Sequence, residues 1–384
     1  MIINNFKIGI DARSISDRIC GVSRVAICLI EALSQIDTEN RYIIYVDSIG
    51  PSVNLGKNFE VKRTHCSRKN PVDDMKFFSI IKKDKLDLFH SMHSWLPRFI
   101  PKGVKVIVTI HDLFSMTDPY FFAKYGPLRI LYQLYFRSLT SSAIKKANAV
   151  VTVSNYCKRE IIKYFPFAAG KTHVIYNALG ISSGNVKKGN NERLVKDEYF
   201  LYVGNCRSYK NVEVLIEGFG IFLKKNKGHK IKLVIAGNDP CKHIKAKAHN
   251  MDILENLIFM FNPTDEEIAN LYQNAVAFIF PSKQEGFGIP VLEAMNAGAP
   301  VIISDAEALV EVAGDTAMIF KRDNPQELAL VLEKILHNNF LRQELIERGY
   351  NRISQFTWES SAIKLKNLYL QIINRVGLNE NFDA

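Results

Sequence analysis

Two carboxylates, Glu285 and Glu293, bracket a glycine-rich turn in the otherwise apolar stretch Ser282–Ile302. A strand-like run ends at Phe280, Pro281 to Gly288 reads as a loop, and Pro290 suits the first turn of a helix opening near Ile289. Helical side chains lean toward the N-terminus, so Glu293 is expected to point back at the loop carrying Glu285. Gly286 and Gly288 would let a ligand approach backbone N–H groups. The helix tip then offers donors that suit a phosphate, flanked by two acceptors that suit sugar hydroxyls. A nucleotide-sugar carries both kinds of group. The blander reading is that each glutamate only complements the helix dipole, worth about 0.3–1 kcal/mol.

Other stretches hold complementary groups. The loop Gly204–Asn211 follows a strand and carries two cations, Arg207 and Lys210, as a developing negative charge on a leaving group requires. His111 and Asp112 directly follow Val104–Ile110, and catalytic groups in open parallel sheets gather at the carboxyl ends of strands. A neutral imidazole there can donate or accept a hydrogen bond; a packed core histidine is the alternative. Gly21 opens a helical pattern straight after a loop, which suits a backbone contact to phosphate. Asp11, closing the first strand, is expected near a second substrate. His90 and His93 have no third ligand at suitable spacing and are read as packing residues. There is no D-x-D triplet to hold a bridging divalent metal.

Positioning these groups requires two lobes. The 384 residues are enough for two cores, and hydrophobic content of 47% with 23% charge is that of a globular chain. Short continuous apolar runs, such as Lys7–Ile10, Tyr42–Val46, Val104–Ile110 and Ala149–Val153, alternate with helical patterns, as buried parallel strands and their crossovers do. After the polar stretch Leu179–Glu198 the pattern restarts at Tyr199–Val203 and continues through Ile231–Ala236, Leu257–Met260, Ala277–Phe280 and Pro300–Ile303. Thr264, with Glu267 in capping-box register, marks one helix start. The fold expected is α/β, with two doubly wound Rossmann-like lobes.

Charge is uneven. Residues 1–190 hold 28 Lys+Arg against 14 Asp+Glu, a net of +14, whereas the remainder holds 22 against 25, a net of −3. A basic first half points to an anionic partner: nucleic acid, a phosphorylated ligand or an acidic membrane surface. The aromatic and basic segment 120–146 is expected to be a buried core helix, with docking on an anionic leaflet as the alternative. No apolar run reaches membrane-spanning length and the start lacks a signal-peptide pattern, so the expected location is cytoplasmic. Six dispersed cysteines without C-x-x-C spacing are expected to be reduced thiols.

Taken whole, "LYQNAVAFIFPSKQEGFGIPVLEAMNAGAPVI", "YVGNCRSYKN", "SDAEALVEVAGDTAMIF" and "FTWESSA" resemble retaining family 4 glycosyltransferases of the GT-B fold. The resemblance covers nearly the whole chain. It implies an N-terminal acceptor-side lobe over 1–180, a linker over 181–197, a donor-binding lobe over 198–357, and a C-terminal helix over 358–384 crossing back to the first lobe. By the same resemblance Glu293 would bind the donor's ribose and Glu285 the transferred sugar. The backbone of Gly286, Phe287, Gly288 and Ile289 would face sugar and diphosphate. Gly204 and Lys210 would hold the diphosphate, Gly21 would contact phosphate, and His111 would lie beside the anomeric centre. Asn205 and Tyr209 hold the slots where the family keeps its loop arginine, and Arg207 lies between them.

"IGIDAR" with "YVGN…KN" most resembles bacterial mannosyltransferases of O-antigen and exopolysaccharide assembly. This implies GDP-mannose as donor, ahead of GDP-fucose, UDP-glucose or a UDP-N-acetylhexosamine, and no cofactor or metal. It also implies an undecaprenyl-diphosphate-linked saccharide or other glycan as acceptor, met at the inner face of the cytoplasmic membrane, and no nucleic-acid partner. A GT-B-like lobe pair acting without catalysis in a polysaccharide-assembly complex is the alternative of a different class.

Overall fold

The computed structural model describes residues 5–13, 21–47, 55–66, 71–118, 121–180 and 192–374. Their contacts divide them into two compact units: one from Met1–Ala178 with Thr357–Ala384, the other from Leu179–Phe356. Residues 192–197, expected within the linker, pack on the second unit: Val195 is buried, and Leu194 N–H donates to Asn270 Oδ1. The rest of the expected linker, 181–191, lies outside the described residues, as does 375–384 of the expected last helix.

The first unit holds strands β1 (Lys7–Asp11), β2 (Arg41–Val46), β3 (Phe59–Arg63), β4 (Leu88–Ser91), β5 (Lys105–Ile110), β6 (Ala149–Thr152) and β7 (Thr172–Val174). They form one parallel sheet in the order β3-β2-β1-β4-β5-β6-β7. β-Branched and aromatic residues fill both faces because helices cover each side. Ile8, Ile10, Ile44 and Ile107 pack with Ala26, Leu29 and Leu33 of the helix Gly21–Ile36. The helix Trp358–Asn374 joins the same core through Leu365, Leu368, Tyr369 and Ile372. At about 1.5–3 kcal/mol for each such apolar side chain buried, this face firmly holds the helix to the first unit.

The second unit holds β8 (Glu198–Val203), β9 (Ile231–Gly237), β10 (Leu257–Phe261), β11 (Ala277–Phe280), β12 (Val301–Ser304) and β13 (Ala317–Phe320). Its parallel order is β10-β9-β8-β11-β12-β13. The order reverses between β8 and β11, and in the first unit between β1 and β4. Loops leaving the carboxyl ends of strands diverge at such a reversal and leave a crevice. Thr264 caps the helix Asp265–Asn274 in the expected capping box with Glu267. These are two Rossmann-like lobes.

Two expectations are corrected. Cys206 and Cys241 form a disulfide; Cys28, Cys66 and Cys157 are buried thiols. Cysteine spacing alone could not reveal the pair, because β8 and β9 must lie side by side before the loops after them meet. The helix Arg129–Lys146 is not a buried core helix: only Thr140, Ala143 and Ile144 are buried, and its first turns expose large apolar side chains. Its apolar residues are spread around the axis instead of forming one core-facing stripe, and only its last turns reach the core.

Candidate active site

In the second unit, the two loops at the β8–β11 reversal carry most of the expected residues. After β8, Gly204 N–H donates to Ala236 O at 2.9 Å, and the Tyr202 hydroxyl donates to Asn205 O at 2.6 Å. The chain then makes one 3₁₀ turn, Ser208–Lys210, and reverses at Asn211 with φ +56°. Asn211 Nδ2 donates to Pro281 O at 3.1 Å and to Arg322 O at 2.6 Å, while Lys283 N–H donates to Tyr209 O at 2.8 Å. These bonds lace the two loops together. Cys206 adds a covalent tie to Cys241, and Asp239 accepts from the Cys206 and Cys241 N–H groups.

Lys210 and Glu285 meet directly. Lys210 Nζ donates to Glu285 Oε1 at 2.7 Å, and both side chains are about nine-tenths buried. The ammonium also lies 4.7 Å from the centre of the Phe280 ring, a cation–π contact. Arg207, in contrast, is exposed; its N–H donates to Asn205 Oδ1.

The helix forecast near Ile289 runs Ile289–Asn296, with Pro290 in its first turn and no side-chain cap bond at Gly288. Gly288 sits at φ +114°, and an added Cβ would lie 2.7 Å from Leu309 Cδ2. Glycine is required here by both backbone and space. Phe287 is buried edge-to-face on Phe356, 5.6 Å between ring centres. Pro290 brings no N–H to this helix start and Val291 N–H donates to Gly288 O at 3.0 Å, so what the tip offers is the positive end of the helix dipole. Glu293 is half-buried and accepts from the Tyr272 hydroxyl at 3.5 Å. Burial, then the Glu293 charge, raises the Tyr272 hydroxyl well above the ordinary tyrosine range, so it stays a donor.

Gly21 and His111 belong to the first unit. Gly21 opens the helix Gly21–Ile36, is exposed, and has open space where a Cβ would stand. His111 follows β5, with Nε2 3.1 Å from Met92 O. A carbonyl only accepts, so Nε2 carries the proton and Nδ1 keeps its lone pair. Burial lowers the imidazole to a pKa of about 4, leaving it neutral near pH 7. Asp11, expected near a second substrate, is buried and doubly bonded to Arg13, at 2.9 and 3.0 Å. Its carboxylate is committed to structure. His90 is likewise structural: Nδ1 pairs with the Tyr369 hydroxyl at 2.6 Å and Nε2 with Thr109 Oγ1 at 2.7 Å.

Sequence reading missed Tyr272, Asn211, Asp239 and Arg322. Arg322 binds Asp305 through Nε at 2.7 Å and the Lys283 carbonyl through a terminal nitrogen at 2.6 Å. Asp239 and Arg322 stand outside every quoted motif, whereas Tyr272 and Asn211 lie inside two of them, seen without their roles. Gly237 was also missed. A Cβ there would stand 2.2 Å from the Gly204 carbonyl oxygen, so β9 ends in glycine to admit the β8 loop.

Two family models match consecutive parts of the chain: Glycosyltransferase Family 4 over residues 20–182 and Glycosyl transferases group 1 over 185–352. Both models describe glycosyltransferases, and between them they take in most of the chain. Escherichia coli O-antigen chain mannosyltransferase B is 25% identical over 300 residues, 73% of this chain and 74% of the relative. O-antigen chain mannosyltransferase RfbU of Salmonella typhimurium is 28% identical over 228 residues, 59% of this chain and 60% of the relative. Among solved structures, Anabaena HepE in complex with UDP and glucose superposes with a TM-score of 0.74 at 14% identity, covering 95% of this glycosyltransferase and 100% of HepE. In this glycosyltransferase the helix tip at Gly288 and the paired Lys210 and Glu285 lie at the lobe's topological switch point.

Proposed function

We propose that this glycosyltransferase moves a hexose, with retention and without metal, from a nucleoside diphosphate sugar to a lipid-linked or growing glycan of a cell-surface polysaccharide. GDP-mannose is the favoured donor, because the relatives at 25% and 28% identity are O-antigen mannosyltransferases. One observation carries the reading: a dipolar helix tip opening at Gly288 and a buried cation, Lys210, stand on loops laced to each other, with carboxylates Glu285 and Glu293 on the same element and its entry loop.

The second-unit groups would divide the work. The helix dipole and Lys210 would neutralise the departing diphosphate, and Glu285 and Glu293 would accept from sugar and ribose hydroxyls. In front-face attack the acceptor oxygen bonds to the anomeric carbon as its bond to phosphate breaks. The acceptor's proton passes to the leaving phosphate oxygen, so no protein nucleophile is needed. To His111 we assign, on the family resemblance alone, a hydrogen bond to the same sugar. The acceptor is assigned as an undecaprenyl-diphosphate-linked saccharide, and catalysis is expected at the cytoplasmic face of a membrane.

A thermal-shift and product-mass screen across GDP- and UDP-sugars tests the donor. GDP-mannose should give the largest shift, since ligand at a hundred times Kd stabilises by about 2.7 kcal/mol. UDP-glucose giving the largest shift would transfer the assignment to the runner-up, which the ligands of HepE support. Glu293→Ala should weaken nucleotide binding about ten- to a hundredfold, as loss of a hydrogen bond to a charged group does. Turnover should persist in EDTA; strict dependence on added metal would overturn the metal-free assignment.

A further inference from the structure

The strongest surface feature outside the site is an apolar face on the first unit that no described residue covers. Leu128, Ile130, Leu131, Leu134 and Tyr135, at the start of the helix Arg129–Lys146, are each more than half exposed. Leu131, Leu134 and Tyr135 share one face by helical spacing. The opposite face explains why they point outward. Tyr132 stacks on Tyr125 at 4.2 Å between ring centres, and Phe136 lies 5.1 Å from the ring of buried Phe122. The last turns are pinned by Thr140, Ala143 and Ile144. The element is therefore fixed, and its apolar face is presented rather than loosely packed.

The charge around it selects the partner. Residues 119–159 contain seven basic residues and no acidic one, in a half of the chain with a net charge of +14. Arg129 and Arg137 are exposed on the same helix, and Lys145 and Lys146 at its end. A contiguous exposed apolar patch marks a binding surface, and one accompanied on its own helix by exposed Arg129, Arg137, Lys145 and Lys146 fits an apolar layer under a negative surface. No described helix is long and apolar enough to cross a membrane, so a bilayer would be met side-on.

We propose that this face of the helix Arg129–Lys146 docks on the surface of an anionic lipid bilayer, with Leu131 and Leu134 entering the headgroup boundary and the arginines meeting lipid phosphates. The inference stands on the surface of the first unit and is independent of the donor chemistry.

Flotation of the full chain with phosphatidylglycerol-containing vesicles, against pure phosphatidylcholine vesicles, tests it. Anionic vesicles should retain the chain about tenfold or more over neutral ones, and high salt should weaken that retention. Leu131→Asp/Leu134→Asp should lower it by about tenfold or more, because charges replace the inserted residues. Arg129→Glu/Arg137→Glu, which leaves the apolar face intact, should lower it separately. Circular dichroism should be unchanged in both, since all four side chains are exposed. Equal retention by both vesicle types, unaltered retention by the leucine variant, or a dimer that the leucine variant dissolves would each overturn the proposal. GDP-mannose thermal shifts on the same variants read donor binding separately, so failure of one assignment is distinguishable from failure of the other.

Discussion

Lys210 Nζ lies 2.7 Å from Glu285 Oε1, so the cation and the acid expected to serve different parts of one ligand hold each other. Removing one partner of a buried pair strands the other charge. Lys210→Ala should cost about 3 kcal/mol of second-unit stability in urea unfolding. It should also lower turnover about 10²–10³-fold, as loss of one charge-stabilising donor does. Lys210→Met/Glu285→Gln should recover most of the stability and none of the turnover. If turnover returns with stability, the lysine is only structural.

Gly237 and Gly204 should be sensitive to a single methyl group. Gly237→Ala places a Cβ 2.2 Å from the Gly204 carbonyl oxygen, a backbone atom that can yield only by moving the loop that leads to Lys210. The expected cost is about 1–3 kcal/mol, with weakened nucleotide binding in calorimetric titration. Gly228→Ala, where a Cβ meets nothing within 4 Å, should change neither and serves as the control.

Acid should destabilise the first unit through two histidines. Burial lowers His90 to a pKa of about 3 and His111 to about 4, both below the unfolded value near 6.5. The unfolded chain therefore takes up protons first. The stability these neutral rings contribute is complete above about pH 6.5 and is lost as pH falls toward 4 and then 3. By pH 5 each should have cost about 2 kcal/mol, at about 1.4 kcal/mol per pH unit. Urea unfolding at pH 7 and pH 5 should show the loss, and His90→Gln should reduce its slope; a pH-independent midpoint would contradict it.

The Cys206–Cys241 bond closes a sequence separation of 35 residues. Loop-closure entropy assigns such a bond about 3–4 kcal/mol. Reductant should lower the unfolding midpoint of the native chain and leave that of Cys206→Ser/Cys241→Ser unmoved. A native midpoint indifferent to reductant would show that the loop does not depend on the bond.

Amino-acid order alone determined the parallel-strand architecture, the restart of the pattern after residue 198, the helix opening at Ile289 and the loops carrying Lys210 and Glu285. Each is a contiguous segment whose apolar period, glycines and prolines act over a few residues, so local physics suffices. Tertiary structure decided what those segments do to one another. Lys210 meets Glu285, Asn211 reaches Arg322, Tyr272 donates to Glu293, Cys206 bonds Cys241, and Asp11 is taken by Arg13. All but the last join residues 21 or more positions apart in the chain, and the pairs made by Cys206, Lys210 and Asn211 form only once β8 takes its place between β9 and β11. The helix Arg129–Lys146 gives the same lesson in reverse. Its composition fits a core, and only its position at the edge of the first unit's packing leaves its leucines facing water.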